Sequence, residues 1–378
     1  PAPVGGMNVG AGLGGPDRRL WRNLPWALLA FCAAIAVISV INLASASRAH
    51  HAPVWINQCV WFSLGIVGAA LGLAVDYRVL HRLAWPIYGL VLLLLVAVEL
   101  HGATIMGAQR WLVIGPVRLQ PSELAKLSTM FVLARFYAEE GEKPGGYRLT
   151  ELWRPGLIIF VPYALILHQP DLGTATMMAL VAGTLVLASR VQWKALLTLG
   201  ASGVVVAILG WFFVLKEYQK KRVLTFLDPE ADVLGSGYHA HQSMIAVGSG
   251  RWAGKGWAQG TQTQLSFLPE QHTDFVFSVF AEEWGLRGAL VLLALFLGLC
   301  LAGLRVAATA RDRHGAFLAI GCTALVFWHV FINIGMVSGI VPVVGVTLPL
   351  MSYGGSSALT VMACVGLLAN IAARRNSY

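Results

Sequence analysis

Ten apolar stretches dominate this chain, and most are long enough to cross a bilayer. They lie at about 24–46, 54–75, 83–100, 121–137, 155–168, 172–188, 195–215, 275–304, 316–337 and 354–373. A spanning helix needs roughly 17–25 apolar residues. Inside lipid every backbone N–H and C=O must find its partner within the protein, which favours helices. Hydrophobic residues make up 57% of the chain and charged residues only 12%, against about 25% charged in soluble domains. A soluble fold of this size has too little interior for so much apolar surface. The expected fold is therefore an all-α polytopic membrane protein. It has about ten transmembrane helices and a large extracytoplasmic loop, residues 216–273, between helices seven and eight. Residues 1–16, PAPVGGMNVGAGLGGP, read as a cloning scar or disordered tail, which leaves 17–378 as a single membrane domain. No removable signal peptide is evident, so the first span is expected to direct insertion.

The net charge is +9, and its distribution matters more than its size. Of the 27 Lys and Arg, 16 fall on one side of the expected topology and 11 on the other, six of these in the long loop. Basic residues in short connections mark the cytoplasmic side, whereas long loops translocate with little regard to charge. Both termini are thus expected in the cytoplasm and the long loop outside, and the positive charge calls for no nucleic-acid partner. The five cysteines sit singly in apolar runs, without disulfide or zinc spacing.

Ionisable residues in or beside spans are candidates for function, since each costs about 2.5–3.5 kcal/mol at a helix centre. Most fall at the expected outer ends of spans. In GAQRWLVIGPVRLQPSELAK (107–126), Pro121 and Glu123 mark a helix start. Glu123 and Lys126 share a helix face. They form either a structural ion pair or, with Arg110, a site for an anionic substrate, since Arg grips phosphate bidentately and Lys acts as a point charge. In HQPDLGTA (168–175), Asp171 is placed to cap the sixth helix and to orient its neighbours. In LPEQHTDF (268–275), Asp274 stands at the first turn of the eighth helix, as a cap or as a carboxylate base at the membrane boundary. Glu282 and Glu283 lie two turns deeper and are expected to pair with inner groups such as Arg287. The Gly-rich GSGRWAGKGWAQG lacks the G-x-x-x-x-G-K-[ST] of a nucleotide loop. His239, His241 and His272 lack metal-ligand spacing, and Gln242–Val247 reads as an interfacial amphipathic helix. In 338–359, Pro342, Pro349 and a Gly-Gly-Ser-Ser end exclude a continuous helix, so this backbone packs as a re-entrant turn or lines a cavity.

Together these segments resemble the SEDS family (shape, elongation, division and sporulation). The most specific are FLDPEADVLGSGYHAHQS, LPEQHTDF and LPLMSYGGSS. VPVVGV and GKGWAQGTQTQLSFLPEQHTDF are the forms of its elongation, RodA-type, branch. The resemblance implies a peptidoglycan glycosyltransferase of the bacterial inner membrane, working at its outer face on lipid II. It implies two partners, a class B penicillin-binding transpeptidase and the MreB-containing rod complex. It also carries the catalytic carboxylate onto Asp274, and places Arg110, Glu123, Lys126 and Asp171 in the substrate site. The diphosphate of lipid II leaves readily, so the chemistry needs a base for the acceptor hydroxyl and cations for the leaving group. No cofactor is required by this scheme. The alternative for Asp274 is to hold a divalent cation, Mg or Mn, although D-x-D is absent. A lipid II flippase and a non-enzymatic scaffold are the rival readings.

Overall fold

The computed structural model describes residues 23–48, 54–105, 108–114, 117–213, 215, 217–227, 236–265, 267–268 and 270–375. Residues 1–16, expected to be a scar or tail, lie outside them. The helices are α1 (Trp26–Ala46), α2 (Val54–Ala74), α3 (Arg78–His101), α4 (Pro121–Glu140), α5 (Trp153–His168), α6 (Leu172–Ala188), α7 (Trp193–Phe213), α8 (Glu217–Leu227), α9 (Ser236–Ser249), α10 (Thr261–Gln264), α11 (Val276–Ala308), α12 (Arg313–Val337) and α13 (Gly355–Ala373). Seven of these, α1, α2, α3, α7, α11, α12 and α13, are long and apolar enough to cross a membrane. Helices α5 and α6 are apolar but shorter. Helix α4 has the length but carries Glu123, Lys126, Arg135, Glu139 and Glu140, so it depends on its neighbours for cover. The chain is an integral membrane protein built on helices.

Local chemistry sets the helix ends near the site. Helix α4 starts on Pro121 at its first position with Glu123 in its first turn, and it stops at Gly141. Asp171 caps α6 by accepting from the Thr174 N–H at 3.3 Å. At the far end of the bundle, Asp312 caps α12 through the Gly315 N–H at 2.7 Å.

Helices α4, α12 and α13 fill the centre. Of the apolar stretch in α13, 72% is buried, whereas none of that in α7 is. Helix α7 therefore stands at the rim, and its main neighbour among the described elements is the 3-10 turn Leu149–Glu151. Helices α2 and α13 pack together, as do α1 with α11 and α4 with α12.

Two features depart from the helical expectation. The stretch 103–119 is a small antiparallel sheet of β1 (Ala103–Ile105), β2 (Ala108–Ile114) and β3 (Val117–Leu119). Leu112 pairs with Leu119 and Ile114 with Val117 in its second ladder. The other departure is a break inside α11 at Gly285 (φ 65°, ψ −166°), a conformation essentially confined to glycine.

This break receives the loop that precedes α10. The Lys255 and Gly256 N–H groups donate to the carbonyls of Glu282 and Glu283, and the Leu286 N–H donates to the Arg251 carbonyl. The approach is so close that a Cβ on Gly254 would lie 2.1 Å from the Glu283 oxygen. The Gly-rich segment is thus a backbone splice into α11.

The structure corrects the expectation for Glu282 and Glu283, because Glu282 turns toward the loop and Glu283 toward α1 instead of Arg287. Glu282, fully buried, accepts from Lys255 Nζ (2.6 Å), the Gln262 N–H (3.0 Å) and Thr263 Oγ1 (3.1 Å). Glu283 accepts from Ser45 on α1. Gly285→Val is expected to cost more than the 1–3 kcal/mol typical of a strained backbone, since its Cβ would also meet Gly254 N at 2.3 Å. A lowered thermal midpoint in detergent would register this. The expected amphipathic segment is α9, and it docks on α11 and α12. Ser243 Oγ lies 2.9 Å from Ser278 Oγ and donates to the Val337 carbonyl.

Candidate active site

The sequence-derived candidates gather at one end of the bundle, from four separate stretches of chain. Sheet strand β2 carries Arg110 to the α5–α6 junction. There its Nε donates to the Gln169 carbonyl at 3.3 Å and its terminal nitrogen to the Pro170 carbonyl. Arg110 Nη1 stands 3.8 Å from Asp171 Oδ1. The Arg110 side chain keeps 30% of its surface exposed, while that of Asp171 keeps 7%.

Asp171 both caps α6 and organises its surroundings. Its Oδ2 accepts from Gln120 Nε2 (3.1 Å) and Ser122 Oγ (3.4 Å), the residues that open α4. One turn along α4, Lys126 Nζ donates to Glu123 Oε1 at 2.8 Å. Lys126 is 2% exposed and Glu123 9%. Lys126 is thus an inner cation, and Arg110 is the one of the two that stays partly exposed. Glu123 Oε2 is buried without a protein partner among the described residues. Glu99, also a charge in a span, pairs with His168 at 2.8 Å.

Asp274 lies in the turn before α11, whose N-cap position is Phe275 without a side-chain cap. Asp274 thus stands one residue before the N-cap position instead of in the first helical turn. The turn is strapped from beneath by α12, where fully buried Asn333 donates through Nδ2 to the Asp274 carbonyl (2.9 Å) and to the Val346 carbonyl (2.6 Å). The 338–354 segment, irregular as its prolines require, closes the other side. Ser352 Oγ donates to the Thr273 carbonyl, and the Tyr353 N–H donates to the His272 carbonyl at 2.8 Å. Gly345, at φ 72°, is close enough that a Cβ there would stand 3.3 Å from Asp274 Oδ2. A Cβ on Gly173, in the first turn of α6, would stand 2.6 Å from the Val344 carbonyl. The Val344–Gly345 backbone therefore joins the Asp171 side of the site to the Asp274 side.

Asn333→Leu removes both straps and leaves two carbonyls without their donor. At about 1–3 kcal/mol for each buried unsatisfied group, the expected outcome is a lower melting temperature together with a slower enzyme, read by thermal unfolding and turnover on the same preparation.

Sequence reading missed two residues here, His329 and Asn333. His329 is 3% exposed, with Nε2 lying 3.1 Å from Lys126 Nζ. The available signal was a His and an Asn four apart, on one face of an otherwise apolar helix. Among the described residues, no three His, Cys, Asp or Glu side chains converge as metal ligands.

These polar residues, drawn from separate stretches of chain and set against the irregular 338–354 segment, form the candidate site of an integral membrane protein. The chain belongs to the FtsW/RodA/SpoVE family, described as cell cycle proteins, whose model matches residues 21–377. The peptidoglycan glycosyltransferase MrdB of Escherichia coli K12 is 45% identical over 316 residues, covering 83% of this chain and 84% of that protein. The rod shape determining protein RodA of Thermus thermophilus superposes with a TM-score of 0.70 at 30% identity, over 95% of this chain and 99% of that one. A chain solved to show structural coordination of polymerization and crosslinking by a peptidoglycan synthase complex superposes with a TM-score of 0.79 at 34% identity, over 93% and 98%.

Proposed function

We propose that this chain polymerises lipid II into glycan strands during cell elongation, with Asp274 as the base, at the outer face of a bacterial inner membrane. Its relatives are named peptidoglycan glycosyltransferases, and the chain is an enzyme of that class. The observation that carries the assignment of the base is the placement of Asp274. It is a partly exposed residue at the bundle end, one position before the N-cap of α11, with its backbone strapped by Asn333 and its Oδ2 beside Gly345.

Asp274 takes the proton from the 4-hydroxyl of the acceptor sugar as that oxygen attacks the anomeric carbon of the donor. The bond from that carbon to the diphosphate breaks, the diphosphate leaves with the electron pair, and the configuration inverts. This is the base half of inverting glycoside chemistry. Arg110, which stays partly exposed, presents its guanidinium to the leaving diphosphate. Asp171 and the two carbonyls hold Arg110 in place. Lys126, paired with Glu123, sets the potential of the buried wall, where a charge acts at low dielectric.

The basic residues crowd the end opposite Asp274, among them Arg78, Arg135, Arg154 and Arg313. This supports an orientation with both termini in the cytoplasm. Residues 17–378 form one membrane domain in this reading, and the loop 216–273 lies outside. A class B penicillin-binding transpeptidase and the MreB-containing rod complex are the partners. Likeness to a chain of a peptidoglycan synthase complex supports the first.

The test is purified protein in liposomes with labelled lipid II. Glycan polymer is the expected product. Lipid II transfer between leaflets without polymer would replace the reading with a flippase.

A further inference from the structure

His329 lies in the middle of α12 and belongs to neither expected cluster. Its Nδ1 stands 2.7 Å from the Leu325 carbonyl. A carbonyl only accepts, so Nδ1 carries the hydrogen, and in the neutral ring Nε2 is left as an acceptor. Lys126 Nζ lies 3.1 Å from that nitrogen, and an ammonium only donates. The ring is therefore held as one tautomer by its own helix, with its lone pair aimed at Lys126. Four residues further along the same face, about 6 Å of rise, Asn333 holds the Asp274 carbonyl. Helix α12 thus touches the cation of α4 and the turn of Asp274 through two side chains on one stripe.

We propose that His329 is a positioning residue for the polymerisation reaction: its Nε2 fixes the Lys126 ammonium between α4 and α12. Glu123 alone leaves that ammonium one anchor on its own helix, free to follow the Glu123 rotamers. The second anchor comes from the helix that also straps Asp274, so cation and base are held in one frame. This rests on the reading of Lys126 as a site residue.

The test is a set of three substitutions, with kcat, KM and thermal midpoint measured on each. His329→Gln keeps a polar acceptor at about the place of Nε2. His329→Asn is equally polar but reaches only to about Nδ1. His329→Leu removes the acceptor. Losing a hydrogen bond to a charged group predicts a kcat lower by about 10–100-fold in the Leu and Asn variants, with KM little changed. The Gln variant is expected to recover most of that rate. Equal kcat in all four proteins overturns the proposal, as does a Gln variant as slow as Asn at the same thermal midpoint. If the Leu variant does not accumulate, the contrast between Gln and Asn decides alone. Polymerisation by Glu123→Met/Lys126→Met at the wild-type rate would instead remove Lys126 from the site. An inactive double variant beside fully active His329 variants sinks the proposal and spares the Lys126 reading.

Discussion

Lys126→Met is expected to cost this protein about 3–5 kcal/mol of stability, because it strands a buried carboxylate. Glu123 is 9% exposed, and its Oε2 has no protein partner among the described residues. Removing the ammonium 2.8 Å from Oε1 leaves the charge without compensation in the buried interior. Glu123→Met combined with Lys126→Met removes both charges and fills the space with apolar atoms. Such isosteric replacement of a buried pair is often neutral or stabilising. The double variant should therefore melt close to the wild type while failing to polymerise lipid II. Thermal unfolding in detergent and a polymerisation assay on the same samples separate the two roles. A double variant that is both stable and active would reduce the pair to a structural device that lets α4 enter the bilayer.

Asp274→Asn should lower the polymerisation rate by about 10²–10⁴-fold, the usual contribution of a positioned general base. The amide matches the carboxylate in size, so the Asn333 strap to the backbone carbonyl and the packing against Gly345 remain. The thermal midpoint should hardly move. Asp274→Glu is expected to fail as well, since the extra methylene carries the carboxylate away from its place beside Gly345. Glycan length and rate, read on gels from labelled lipid II, check both variants.

Much of the membrane body was legible because helix signals and apolar runs agree. For α6 the expected bounds, 172–188, are those observed, since Asp171 caps a stretch that is apolar to its end. The candidate residues drew attention for a related reason. Charge in a span is costly, so Glu123, Lys126, Asp171 and Asp274 stood out against an apolar background, and Arg110 came with them from its motif. Three features were hidden. The sheet at 103–119 has strands of three, seven and three residues, too short for alternation to separate them from a loop. The partner of Glu282 is Lys255, 27 residues away, and only the break at Gly285 brings them together. His329 and Asn333 escaped because neither carries a fixed charge, and their importance lies in what α4 and the Asp274 turn place against them. Spacing along one helix shows which residues share a face, but the neighbour that meets that face comes from packing.

The central claim is that the Asp274 carboxylate acts in turnover and is dispensable for holding lipid II. The most direct measurement pairs lipid II binding with single-turnover release of the polyprenyl diphosphate, on wild-type protein and Asp274→Asn in the same detergent. Binding within about twofold of wild type, with release slowed at least about 100-fold, is the predicted result. Release at the wild-type rate, or a loss confined to binding, would contradict it.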